Sequence, residues 1–187
     1  MNSLIVSLTS YGDRINSVHL VVESLKNQSC RVDKIILWLD ETELSHTQLP
    51  KELIELEDAL FEVKFCPNYK SYKKLVPTLL TYPNANIITF DDDIVIPLGT
   101  VEAFVEAHIR HPGTTIATRG RLMSANSEGK FESYDTWNLI NNSSEVFANY
   151  CILPVGYGGV LYPSGSLSSE VVNVAEFTQY ADNADDI

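Results

Sequence analysis

Positive charge is scarce in this chain. Lys and Arg number 13 against 25 Asp and Glu, a formal net charge of −12 over 187 residues. The only basic cluster is Lys70, Lys73 and Lys74, so a phosphate backbone finds little to bind and nucleic acid is disfavoured as a partner. An anionic ligand must be drawn by those few cations, or by a metal, rather than by the overall field. Cysteine is also rare. Cys30, Cys66 and Cys151 stand far apart with no C-x-x-C pair, which gives neither a disulfide framework nor a zinc signature. The default setting is a reducing cytoplasm, including the inner face of its membrane. No apolar run approaches the ~20 residues that span a bilayer, so any membrane association is expected to be peripheral. Met1 to Val6 carries no basic leader and reads as a strand rather than a signal peptide.

What is present, over the first 118 residues, is an alternation of short apolar runs with amphipathic stretches, the pattern of a mostly parallel sheet covered by helices. Leu4–Thr9, Lys34–Leu39, Phe61–Phe65, Asn86–Phe90 and Thr114–Thr118 read as strands. Helices are expected over Ile15–Leu25, from Pro50 to Leu60, over Lys74–Tyr82 with Pro77 in the opening turn, and through Val101–His108 up to Pro112-Gly113. After Arg119 the composition turns small and polar, then apolar from Tyr150 to Tyr162. This second part, 119–187, is expected to form a mixed sheet and a pocket wall within one domain of 1–187. The ending Ala184-Asp185-Asp186-Ile187 looks like the interior of an active segment, so the natural protein is expected to continue.

The most telling stretch is Asn86-Ile87-Ile88-Thr89-Phe90 running into Asp91-Asp92-Asp93. Adjacent carboxylates repel by roughly 1 kcal/mol per pair in water and about 4 near a protein surface. Something positive belongs among them, and Mn2+ or Mg2+ held with a bound phosphate is the expected answer. The plain alternative is an acidic strand end or an Asx turn. Against it, an apolar run precedes the triplet and Ile94-Val95-Ile96 follows, placing the acids at a strand's C-terminal tip, where open α/β sheets bind ligands.

Other candidates sit at similar junctions. In Ser7-Leu8-Thr9-Ser10-Tyr11-Gly12-Asp13-Arg14, a base can stack on Tyr11 while Thr9 or Ser10 supplies a hydrogen bond; a plain surface loop is equally compatible. Asp40, one strand over, is a ribose or base ligand or else a cap for the next segment. Lys73 and Lys74 either neutralise a diphosphate or start a solvated helix. Gly158-Gly159 permits close approach by a ligand or another backbone, or marks a bulge. Asp182, Asp185 and Asp186 are either an acidic tail or the source of a general base.

Together, Ser7 to Tyr11, Ser71-Tyr72-Lys73-Lys74-Leu75, Thr89 to Ile94, Gly158 to Pro163 and Ala184 to Ile187 resemble bacterial glycosyltransferases of the GT-A type, family 2-like enzymes of surface-polysaccharide assembly. The resemblance implies a nucleotide-diphospho-sugar transferase fold and sugar transfer, with inversion, from a nucleotide-diphosphate donor, UDP first, to a glycan or lipid-linked acceptor. It implies Asp91, Asp92 and Asp93 as the metal element and Thr9, Ser10, Tyr11, Arg14, Asp40, Lys73 and Lys74 around the donor. Gly158 and Gly159 fall on the acceptor side, Asp186 as base and Asp185 as its helper. Two rivals use the same residues: a haloacid-dehalogenase-like phosphatase with Asp91 and Asp93 as nucleophile and acid, and a binding module without turnover.

Overall fold

The computed structural model describes residues 2–141 and 151–180. The strands β1 (Leu4–Thr9), β2 (Lys34–Asp40), β3 (Phe61–Cys66) and β4 (Asn86–Thr89) pair in parallel. Two short strands, β5 (Ile116–Ala117) and β9 (Val160–Tyr162), complete a six-stranded sheet of order β3-β2-β1-β4-β9-β5, with β9 antiparallel to both neighbours. The remaining strands, β6 (Gly120–Leu122), β7 (Asn138–Ile140) and β8 (Ile152–Pro154), form a separate antiparallel sheet. After Arg119, β6, β7 and β8 are antiparallel to one another, while β9 joins the parallel strands in the mixed six-stranded sheet.

Burial explains the parallel half. β1, β2 and β4 are apolar runs because both faces are covered. On one face Val6, Leu8, Ile35, Leu37, Leu39, Ile88 and Phe90 join a core with α1 (Val18–Lys26) and α4 (Thr100–Arg110). On the other, Ile5, Ile36, Trp38 and Ile87 pack with Leu75 and Leu79, the latter on α3 (Val76–Thr81). In α1, Val18, Val21, Val22 and Leu25 are buried at helical spacing, each worth about 1.5–3 kcal/mol. β3 alone alternates, with Phe61 and Val63 buried and Glu62 and Lys64 half-buried, as befits the sheet's edge.

Two expected elements are shorter. The helix after Pro50, α2, covers only Lys51–Ile54. Its continuation tightens to i−3 bonds (Leu56 N to Leu53 O, 3.2 Å), and then the Asp58 carboxylate takes the N–H groups of Leu60 and Phe61 to turn the chain into β3. The strand at 114–118 keeps only the two residues of β5 that meet β9. A last helix, α5 (Val174–Tyr180), docks through Phe177, which stacks on Tyr72 at 4.2 Å. Among the described residues no helix is long and apolar enough to cross a membrane.

Candidate functional site

Every parallel strand ends on the same edge, and the order β2-β1-β4 makes the gap between β1 and β4 the point where the chain switches direction across the sheet. Ligands of open α/β sheets bind in that crevice. Here it opens into a cleft of about 460 Å³, with Thr9, Tyr11 and Arg14 following β1 and Phe90, Asp91 and Asp92 following β4. Glu43 comes from beyond β2, and Asn68, Lys70, Ser71, Lys73 and Lys74 from beyond β3.

The register places these groups. Val6 pairs with Ile88 and Ser7 with Thr89, so the carboxylates emerge beside Thr9 and Ser10. The loop after them is held by Gln28, whose Nε2 donates to the carbonyls of Ile96 (3.3 Å) and Pro97 (3.0 Å) while its Oε1 accepts from Val101 N–H (3.2 Å). The expected burial on both sides of the triplet is only partial: Ile96 is buried but Val95 is exposed.

The three aspartates lead different lives. Asp92, 5 % exposed, accepts from Ser10 Oγ at 2.6 Å and from the Arg14 guanidinium at 3.0 Å. That hydrogen bond, then the charge of Asp92, raises the Arg14 pKa further above its usual value. Asp93, half-exposed, meets the same Arg14 nitrogen, Nη1, at 3.3 Å. Asp91 takes the Lys74 ammonium at 2.9 Å. The positive charge demanded by the triplet thus comes from the protein's own side chains.

This bears on the expected Mn2+ or Mg2+. Among the described residues no three acidic, histidine or cysteine side chains converge as ligands. A divalent ion bound at about 2.1 Å to the Asp91 oxygen held by Lys74 would stand at most about 5 Å from that ammonium, a repulsion of about 7 kcal/mol at an effective dielectric of ~20. Asp91, Asp92 and Asp93, as arranged, do not fit a divalent ion.

The lysines correct the reading of a solvated helix start. Lys73 and Lys74 are 4 % and 5 % exposed, in a 3-10 turn over Lys70–Lys74 that precedes α3. Lys74 is paired. Lys73 has no ion pair among the described residues, and its Nζ reaches only Asn68 Oδ1 at 3.4 Å, a long contact for a buried ammonium.

The remaining candidates scatter. Thr9 Oγ1 donates to the Trp38 carbonyl (2.8 Å) and Ser10 to Asp92, so both hydroxyls expected to reach a base are committed within the protein. Tyr11 stands 58 % exposed at the rim with Arg14 over its ring at 5.3 Å. Asp40 is buried at the tip of β2, off the cleft lining, and caps its own turn through Thr42 N–H (2.8 Å) and Oγ1 (2.7 Å). Burial pushes its pKa up, but those bonds and the charge of Lys73 outweigh it and hold the group below its usual value. Gly158 and Gly159 have positive φ, and a Cβ there would strike Thr118 Oγ1 or the Phe90 ring at 2.5 Å. Their closeness serves protein packing, and they do not line the cleft. Asp182, Asp185 and Asp186 lie outside the described residues. Glu43 and Asn68 escaped the sequence reading. The signal was positional: each follows the C-terminal tip of a parallel strand.

The sheet order, the rim cleft and the antiparallel β9 define a nucleotide-diphospho-sugar transferase type of fold, Rossmann-like and related to GT-A. Among solved structures the chain is similar to 4-diphosphocytidyl-2C-methyl-D-erythritol synthase from Anaerococcus prevotii, with 10 % identity, a TM-score of 0.54, and coverage of 100 % of this chain and 85 % of that one. Another structure of a 4-diphosphocytidyl-2C-methyl-D-erythritol synthase gives 11 % identity, a TM-score of 0.52 and coverage of 95 % and 85 %. At such identities the likeness is one of fold. No family model and no curated protein matches the sequence.

Proposed function

We propose that this protein is a glycosyltransferase that uses a nucleotide-diphosphate sugar, UDP-linked in first rank, and moves the sugar to a hydroxyl of a glycan or lipid-linked acceptor. The observation that carries the reading is Lys73: a buried ammonium without an ion-pair partner among the described residues, facing a cleft at the sheet's switch point. A buried charge so poorly paired is costly unless an anion completes it, and a diphosphate supplies charge-assisted hydrogen bonds of the right kind. Tyr11 offers an exposed ring for the base beside it.

In the reaction the acceptor oxygen bonds to the anomeric carbon as the bond from that carbon to the diphosphate breaks. The electron pair leaves with the nucleoside diphosphate, whose growing charge Lys73 stabilises. The acceptor proton passes to a carboxylate, Asp186 with Asp185 beside it by resemblance to the GT-A enzymes, giving inversion.

A second reading is favoured by the fold neighbours, whose names describe diphosphocytidyl compounds: attack at phosphorus rather than at carbon. Products separate the two. Incubation with a panel of nucleotide sugars should release nucleoside diphosphate slowly, and the Lys73→Met variant should lose this by about tenfold or more, the worth of one charge-assisted hydrogen bond. Release of pyrophosphate from a nucleoside triphosphate would move the assignment to nucleotidyl transfer. Phosphate release from a generic phosphomonoester would favour the phosphatase, and binding without turnover the module.

A further inference from the structure

We propose that the cleft binds the diphosphate of its nucleotide through the protein's own cations, Lys73 assisted by Lys74, and that no divalent metal takes part in that binding. The inference rests on the nucleotide-sugar reading above and deepens it.

The triplet that suggests a metal is already neutralised, carboxylate by carboxylate. Asp92 is buried with one oxygen on Ser10 and the other on Arg14. Asp93 shares the same guanidinium at 3.3 Å, and Asp91 holds Lys74 at 2.9 Å. To bind a metal, Asp91 would have to give up its 2.9 Å bond to the buried Lys74 ammonium or hold the ion close beside that positive charge. Asp92 would have to abandon two hydrogen bonds within the same buried network. On this geometry the acidic triplet is a scaffold that fixes Arg14 and Lys74 at the rim. Lys73, one residue from Lys74, has no carboxylate within ion-pair distance among the described residues and acts on Asp40 only through its field, so it supplies the positive charge least committed within the protein. Cations held in advance in this way meet a diphosphate without having to reorganise.

Titration calorimetry with UDP, in EDTA and in excess MnCl2, tests the inference. The dissociation constant should agree between the two conditions within about threefold. The Lys73→Met variant should weaken binding at least about tenfold in both, and Asp91→Asn, which would remove a true metal ligand, should change binding by the same factor in EDTA as in MnCl2. Binding that appears only with Mn2+, or a gain in affinity with Mn2+ that Asp91→Asn removes, overturns the inference and leaves the nucleotide reading standing. Failure of UDP and of the other nucleoside diphosphates to bind in either condition overturns both. Circular dichroism on each variant confirms that a loss is one of binding rather than of folding.

Discussion

Leu37 and Leu139 both lie mid-strand, yet Leu37 in β2 has no exposed surface and Leu139 in β7 keeps 45 % of its own. The two sheets differ in the same sense. In the parallel half, helices cover both faces, so each strand tip is a rigid mount and the residues just beyond it are positioned to within a hydrogen bond. In the three-stranded sheet Leu139 remains exposed, as do Phe131 and Tyr134 in the segment that leads from β6 to β7. Order there leans on the ladder and on ring contacts such as Tyr134 with Trp137 at 5.7 Å. Polar groups can be buried at the first kind of tip because everything around them is fixed, and Asp92, Lys73 and Lys74 all are.

Truncation of the two leucines gives the widest separation. Leu37→Ala should cost about 2–5 kcal/mol through lost burial and a residual cavity, and Leu139→Ala no more than about 0.5. Urea unfolding of the two variants measures both. Equal costs would mean that the small sheet is covered in solution by something beyond the described residues, and would erase the contrast.

The same contrast governs what the sequence could disclose. β1, β2 and β4 were legible because a strand buried on both faces must be an apolar run, and α1 because Val18, Val21, Val22 and Leu25 repeat at helical spacing. The truncation of α2 was not. It depends on the Asp58 carboxylate capturing two N–H groups across a turn, and an Asp after a leucine pattern looks the same whether or not it does so. At the site, the location of the triplet was legible from strand followed by acids. Its occupancy was not, because Ser10 and Arg14 lie about 80 positions from Asp92, and only the β1–β4 register brings them into contact. The burial of Lys73 and Lys74 was illegible for a related reason: two adjacent lysines look solvated until Phe177, a hundred residues on, packs against Tyr72 beside them.

Gly159 probes how tightly the first region is built. Its φ of +104° and the Phe90 ring 2.5 Å from a would-be Cβ combine backbone strain with overpacking, so Gly159→Ala should cost about 3 kcal/mol. Phe90 lines the cleft, and nucleotide affinity should fall along with the melting temperature. Gly129 is the matched control. It has φ +78° but nothing within 4 Å, so Gly129→Ala should show backbone strain alone, about 1 kcal/mol. If both variants melt alike, packing around Phe90 is looser than the distances indicate.

The smallest expected effect is a pH dependence that belongs to one region only. Lys26 donates to Asp58 at 2.9 Å, and Phe61 and Leu60 add backbone N–H bonds at 2.8 Å each; together they hold the carboxyl down to about 2 from an ordinary 3.8. Because the folded value lies below the ordinary one, the unfolded chain takes up the proton first as pH falls. The contribution of Asp58 is therefore complete above about pH 4 and is lost as pH drops from there through 2. Asp58→Asn should lower the melting temperature at pH 7 and flatten the acid limb between pH 4 and 2, since the amide keeps the shape but not the charge. Its counterpart in the second region is Lys130 with Glu128, a 3.3 Å pair with both ends mostly in solvent. Glu128→Gln should leave melting nearly unchanged at either pH, as a solvated pair contributes little. Equal acid limbs for wild type and Asp58→Asn would show that the turn into β3 is held by its backbone alone, and that the tight mounting of the parallel half does not extend to its outer connections.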